Sequence, residues 1–328
     1  MKKLNLKLFA TVFITALLFI SCSNDDDDNN NMEPKTITEI AQANPEFSIL
    51  VSALVKAELA TTLNQSGNYT VFAPTNTAFT TFLNDNGFQD LNAVPTAVLK
   101  ELLLNHVLNS KVQSTDITTG YVKTLAKGNA STTNTISMYI NKGDKVVING
   151  GKDNKGATVT TADIMASNGV IHVVDAVIAI PTIVNHAVAN ATFSTLVAAL
   201  SFNTTSGFVT TLSGTTNSPF TVFAPTNTAF TNFLAETKYS GLAAIPSSVL
   251  ETSLKYHVVT GANVQSTALT NGMKVNTFAN QQFTINLTNG ATITDASNRV
   301  SNIIVTDVQC ANGIIHAIDK VLLPVFPK

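Results

Sequence analysis

Arginine is almost absent from this 328-residue chain, which carries only Arg299, and tryptophan is missing altogether. Phosphate and base recognition lean on arginine forks and basic stripes. With a net charge of −2, nucleic acid is excluded as a partner. Charged residues make up only 12% of the chain, so Thr, Asn and Ser must cover most of the surface, which suits a secreted protein. There are two cysteines, Cys22 and Cys310. The sequence also lacks a His-Glu-x-x-His pair, a Gly-x-Ser-x-Gly elbow and a Gly-x4-Gly-Lys-Ser/Thr loop, the signatures of zinc hydrolysis, acyl transfer and nucleotide binding. No cofactor, metal or catalytic activity is expected.

What the chain does have is a long exact repeat. Thr-Val-Phe-Ala-Pro-Thr-Asn-Thr-Ala-Phe-Thr occurs at Thr70–Thr80 and again, unchanged, at Thr221–Thr231. The correspondence extends outward. Phe47, Leu50 and Leu54 match Phe193, Leu196 and Leu200; Pro95 through Asn105-His106 matches Pro246 through Tyr256-His257. Asn168-Gly-Val-Ile-His172-Val-Val-Asp175 matches Asn312-Gly-Ile-Ile-His316-Ala-Ile-Asp319. Each unit has roughly 145 residues, ordinary for an independent domain and too long for a solenoid repeat. Two tandem domains are expected, at 36–181 and 182–328.

Within each unit helices precede strands. Phe47, Leu50, Val51, Leu54 and Val55 recur at helical spacing, as do Phe193, Leu196, Val197 and Leu200. Thr36-Ile-Thr-Glu39 reads as a capping box. Thr70–Phe72 reads as a strand ended by Pro74, followed by a helix carrying Phe79, Phe82 and Leu83. Pro95 and Pro246 suit the opening turn of another helix. Strands follow at Ile136–Ile140 and Lys145–Ile148, with a near-continuous apolar strand at Gly169–Ile180. Helices segregated ahead of strands indicate an α+β class.

The Phe-Ala-Pro-Thr-Asn-Thr-Ala-Phe and Asn-Gly-Val-Ile-His-Val-Val-Asp blocks, with the histidine segment between them, resemble the two signature boxes of the fasciclin-like (beta-Ig-H3/fasciclin) domain family. The resemblance runs from Thr36 to Pro324 in both copies. It implies a β-sandwich-like core with helices packed along it, and a role in cell adhesion and matrix association through protein or glycan contacts. In animal members of the family a Tyr-His segment and an Asp-Ile-Met segment have been proposed as receptor contacts. The matching positions are Tyr256-His257 and Asn105-His106 for the first. For the second they are Asp163-Ile164-Met165 and Asp307-Val308-Gln309. Neither copy has both motifs in full, and their apolar neighbours argue for burial.

The histidines divide in the same way. His106 and His257 end the proline-led helix, and His172 and His316 sit within the last apolar strand, where Asp175 and Asp319 lie three residues on and face the other side. All are expected to hydrogen-bond backbone in the core, as is His186, which takes the place of Ile40. Cys310, replacing Ala166, reads as a small core residue.

The N-terminus has its own resemblance. Lys2, Lys3 and Lys7 precede the apolar run Leu8–Ile20, too short for a lasting membrane span. Cys22 follows at once, so residues 1–21 resemble a bacterial lipoprotein signal peptide. Cleavage before Cys22 and lipidation of its sulfur are what that resemblance implies, with the membrane as a partner through the lipid anchor. Residues 22–35, with four consecutive aspartates, read as a disordered tether. An acidic stretch behind such a cysteine resembles the surface-export signal of Bacteroidota lipoproteins. The expectation is an outer-membrane, surface-exposed adhesion lipoprotein. Its partner would be a surface protein, a polysaccharide or a second copy of the chain. The alternative is a cell-envelope protein that binds a small ligand or glycan fragment.

Overall fold

A computed structural model describes residues 34–202 and 207–326; Cys22 and the acidic tether lie outside them. In the first domain the helices are α1 (Ile37–Ala43), α2 (Ser48–Lys56), α3 (Ala60–Asn64), α4 (Asn76–Asp85) and α5 (Thr96–Leu104). Its strands are β1 (Tyr69–Pro74), β2 (Val107–Leu108), β3 (Gly120–Lys123), β4 (Ser137–Lys142), β5 (Val146–Ile148), β6 (Ala157–Ala166) and β7 (Gly169–Val174). The second domain repeats the order with α6 (Ile183–Ala189), α7 (Ser194–Phe202), α8 (Phe208–Ser213), α9 (Asn227–Thr237) and α10 (Ser247–Tyr256). Its strands are β8 (Phe220–Pro225), β9 (Val258–Thr260), β10 (Lys274–Asn276), β11 (Gln282–Asn286), β12 (Thr292–Thr294), β13 (Val300–Cys310) and β14 (Gly313–Ile318).

Each domain holds one seven-stranded sheet, in the order β2-β1-β7-β6-β5-β4-β3 and its equivalent β9-β8-β14-β13-β12-β11-β10. The box strand and the last strand pair in parallel, Phe72 opposite His172 and Phe223 opposite His316; the other pairings are antiparallel. Alternation along β1 builds two cores. Val71 and Ala73 join Phe47, Leu50, Leu54, Phe79 and Leu103 under the helices. Phe72 instead meets Met138, Ile140, Ile148 and Ile178 on the opposite side. Residues of β1 and β4 can share that second core only if the sheet folds back on itself. The bend falls at β6, whose register with β7 shifts twice between Val159 and Ile164. The result is the sandwich-like core with helices along one side, and the same two-core division recurs around Phe223.

The unchanged repeat is explained residue by residue. Thr70 and Thr221 each donate a hydroxyl hydrogen bond to a carbonyl (Ser110, 2.6 Å; Ala262, 2.8 Å) and accept one from the amide of Val112 or Val264 at 2.9 Å. Thr75 and Thr226 cap the following helix, accepting from Ala78 and Ala229 at 3.3 Å. Asn76 and Asn227 tie that helix to α2 and α7, accepting from the amides of Ile49 and Thr195 at 2.9 Å. The second box works alike. Buried Asn168 accepts from Ile37 N–H at 2.9 Å and donates to the carbonyls of Leu63 and Gln65 at 2.7 and 2.9 Å. Gly169 and Gly313 let the last strand lie against the box strand, where a Cβ would strike the carbonyl oxygens of Tyr69 and Phe220.

Two local expectations need correction. The apolar run Gly169–Ile180 stays a strand only to Val174. Asp175 turns the chain by accepting from Thr158 N–H at 2.7 Å, and the Ile178 N–H goes to His106 at 2.9 Å. Apolar continuity here records a buried loop as well as a strand. Pro95 and Pro246 are the residues flanking α5 and α10, one step before the first helical residue.

Candidate functional site

The four duplicated histidines form two kinds of backbone staple. At the end of α5, His106 Nδ1 donates to the Leu102 carbonyl (2.8 Å) and Nε2 accepts from Ile178 N–H (2.9 Å). His257 repeats this with Ser253 (2.7 Å) and Leu322 (2.8 Å). In the last strand His172 Nε2 donates to the Val112 carbonyl at 2.9 Å while Nδ1 accepts from Asp163 N–H at 3.2 Å. His316 does the same with Val264 (2.9 Å) and Asp307 (3.4 Å). Accepting an amide hydrogen requires a neutral ring. Burial enforces that state, lowering His106 and His257 to about 4 against partial opposition from the Leu102 and Ser253 carbonyls. With both nitrogens of each ring engaged, none has a lone pair left for a metal or a substrate. No His, Cys, Asp and Glu group of metal-binding composition occurs among the described residues.

The receptor-contact candidates are placed by the same geometry. Tyr256 and Asn105 are fully buried, and His257 and His106 nearly so. The Tyr256 hydroxyl donates to the Gln282 carbonyl at 2.7 Å and accepts from Ala296 N–H at 3.0 Å. Asn105 donates to the carbonyls of Ile178 and Ala179 at 3.2 and 3.1 Å. Asp163 and Asp307 occupy the sheet bend with positive φ, 61° in both cases. Each accepts from a serine amide at 2.8 Å, Ser114 or Ser266, and from the same serine's hydroxyl. These bonds hold the Asp163 carboxyl below the usual carboxylate range. Ile164 packs on the helix-side core and Val308 is buried in its counterpart. All eight residues make contacts within the fold; Asn105, His106, Tyr256, His257 and Val308 are buried, while Asp163, Ile164 and Asp307 are half-buried. Cys310 is a free, fully buried thiol, and burial pushes its pKa up.

His186 departs from the expectation of a backbone hydrogen bond. It is fully buried, yet neither ring nitrogen has a hydrogen-bond partner among the described residues. Burial lowers its pKa to about 3; the neighbouring Ser137 backbone opposes this and the Lys123 charge adds to it. The cause is position. His186 lies where the two domains meet, its ring 5.4 Å from Tyr121 in an edge-on contact. Around it Asn190 Nδ2 donates to the Tyr121 hydroxyl (3.2 Å) and Lys123 Nζ donates to the Asp307 carbonyl (2.7 Å). Nearby, Gln309 N–H donates to Ser137 Oγ (3.0 Å). Ile40, its counterpart in the first domain, is half-buried.

A concave site does exist, and it lies away from all of these residues. Between α2, α4 and the turn at Leu91–Ala93 the first domain carries a groove of about 510 Å³, within the usual range of roughly 300–1,000 Å³ for small-molecule sites. Ile49, Leu83 and Leu91 form its floor and Asn84, Gln89 and Asn92 stand around it. Lys56 fixes the turn from behind, donating to the carbonyls of Leu91, Asn92 and Val94 at 2.9, 2.8 and 2.7 Å. Sequence reasoning missed this groove because its lining forms no recognisable motif along the chain. The available signal was the divergence of the copies: Asn84, Asp90 and Asn92 align with Ala235, Gly241 and Ala243.

A Fasciclin domain family model matches residues 45–181 and 191–324. The chain belongs to the fasciclin domain family, with two copies of the domain. Protein sll1483 from Synechocystis sp. is 39% identical over 146 residues, 44% of this chain and 74% of that protein. Human periostin is 26% identical over 294 residues, 88% of this chain but 31% of periostin. Among solved structures, a FAS1 domain pair from the insect cell adhesion molecule Fasciclin I covers 86% of this chain, with 98% of its own length matched. Its TM-score is 0.51 at 18% sequence identity. That likeness gives the fold: two tandem FAS1 domains, each a sheet with helices.

Proposed function

We propose that this fasciclin protein is a surface-anchored adhesion or matrix-interaction lipoprotein acting through non-catalytic protein or glycan contacts. The observation that carries this reading is the retention of a complete fasciclin domain pair whose duplicated histidines are all committed to backbone. The matched insect pair comes from a protein described as a cell adhesion molecule. Two linked domains raise avidity where each contact is weak. Lipidation at Cys22 would supply the membrane attachment, and two or more acyl chains hold a protein stably on a bilayer. Beads coated with the purified chain are expected to clump or to attach to cells or polysaccharide; behaviour like albumin-coated beads across those partners would refute the proposal. Proteinase treatment of intact cells tests the location: digestion beside an intact periplasmic control supports surface exposure, and protection opposes it.

The groove favours a second reading, a cell-envelope protein that captures a small ligand or glycan fragment. Protection from proteinase together with saturable oligosaccharide binding would support this reading over adhesion.

A further inference from the structure

Three exposed amide side chains gather at the first-domain groove. Amides that are buried or half-buried are spent on the fold: Asn76, Asn105, Asn154, Asn168 and Asn185 each bind backbone through the side chain. Asn84, Gln89 and Asn92 make no side-chain hydrogen bond among the described residues, although all three line one concavity. Asp90 uses Oδ1 to accept from the amides of Asn92 and Ala93 at 2.7 and 3.1 Å, which fixes the turn carrying Asn92. The three Lys56 bonds hold the same turn from the other side. The groove wall is thus rigid while its recognition groups are uncommitted, the arrangement that lowers the ordering cost of binding.

The duplication supplies a comparison within the same chain. The second domain keeps the scaffold of this region, with Leu234 and Leu242 in place of Leu83 and Leu91. It lacks three of the polar groups, with Ala235 for Asn84, Gly241 for Asp90 and Ala243 for Asn92, while Ser240 stands for Gln89 and Thr195 for Ile49, and it carries Phe202 where the first domain has Lys56. We propose that this groove is a binding site, confined to the first domain, for a neutral sugar unit of an oligosaccharide.

The chemistry selects that class. Every sugar hydroxyl both donates and accepts, as a carboxamide does, and the C–H face of a pyranose suits the apolar floor of Ile49, Leu83 and Leu91. No lysine or arginine lines the groove, so nothing there neutralises a phosphate, sulfate or uronate, and the Asp90 carboxylate repels them. The assignment rests on the glycan-contact side of the function proposed above.

The test is calorimetric titration of the full chain with cellohexaose, maltohexaose, mannohexaose and laminarihexaose, with hexagalacturonate as the anionic comparator. At least one neutral hexasaccharide is expected to bind. Asn84→Ala combined with Asn92→Ala, the residues the second domain carries, should weaken it by at least about 10-fold, given roughly one hydrogen bond lost at each position. Both positions are exposed, so the melting temperature should not move. Absence of binding by all four neutral sugars, equal binding by the double variant, or preference for hexagalacturonate would each overturn the proposal. The coated-bead assay runs in parallel. Beads that adhere while no sugar binds remove the groove and leave adhesion; sugar binding without adhesion does the reverse.

Discussion

His186→Ile would convert the buried ring between the domains to the residue that its counterpart position, Ile40, already holds. In the folded chain the ring is neutral and its pKa is lowered to about 3 by burial, against an ordinary value of about 6.5 when unfolded. The folded value is depressed, so the unfolded chain takes up the extra proton as pH falls below about 6.5. Stability is fully present above that pH and is lost progressively towards pH 3. Between pH 7 and pH 5 the linkage amounts to about 2 kcal/mol for this group alone. For a domain of this size that corresponds to about 8 °C in melting temperature.

The substitution has a second effect at neutral pH. It removes two ring nitrogens that have no partner among the described residues, relieving a desolvation cost of about 1–3 kcal/mol. It also loses the edge contact with Tyr121, worth roughly 0.5–1.5 kcal/mol. A modest net gain of about 1 kcal/mol is expected at pH 7. Scanning calorimetry of the full chain and of His186→Ile at pH 7 and pH 5 separates the effects. The wild type should lose about 8 °C more than the variant in the transition that involves the second domain. His106 and His257, with folded values of about 4, remain in both proteins and set a common acid-sensitive background. Parallel losses in the two proteins would refute the reasoning, because His186 would then take up no extra proton on unfolding.

Tyr256→Phe removes a hydroxyl that bonds Gln282 and Ala296 and should cost about 1–3 kcal/mol by denaturant titration, yet leave bead attachment unchanged; lost attachment at unchanged stability would restore the receptor-contact role. Gly313→Ala places a methyl against the Phe220 carbonyl and should abolish the cooperative calorimetric transition of the second domain while the first still melts. Cys310 should be inert to a thiol reagent such as dithiobisnitrobenzoate at pH 8 until denaturant is added, since the thiol is fully buried and its thiolate is disfavoured.

Much of the architecture was legible because its determinants are local or repeated. The Thr36-Glu39 capping box forms as read, with Thr36 N–H donating to the Glu39 carboxylate at 2.7 Å. Period-two alternation around Phe72 announces a strand with two different faces; His172 and Asp175 do have separate roles, but because Asp175 lies in the turn after the strand and not on its opposite face. What escaped the sequence depends on distant chain. Gly169–Ile180 is apolar throughout, but only the meeting of Ile178 with His106, 72 residues away in sequence, decides where strand gives way to loop. His186 resembles its fellow histidines in type, and only the packing of Tyr121 from the other domain sets it apart. The groove arises where α2, α4 and a turn converge, which no single stretch of sequence encodes.

Comparison of the two copies then separates scaffold from variable surface. Thr70, Thr75, Asn76, His106, Asn168, Gly169 and His172 do the same work as Thr221, Thr226, Asn227, His257, Asn312, Gly313 and His316, down to matching backbone partners. These residues are committed to holding the fold, so the motifs that best reveal the family say little about what this chain recognises. The copies differ instead at Ile40 and His186, where one domain covers the other, and at the groove set of Asn84, Asp90 and Asn92. The first difference concerns how the pair holds together. The second leaves uncommitted amides on a pinned wall facing solvent, and recognition is therefore best sought on the first domain, away from both signature boxes.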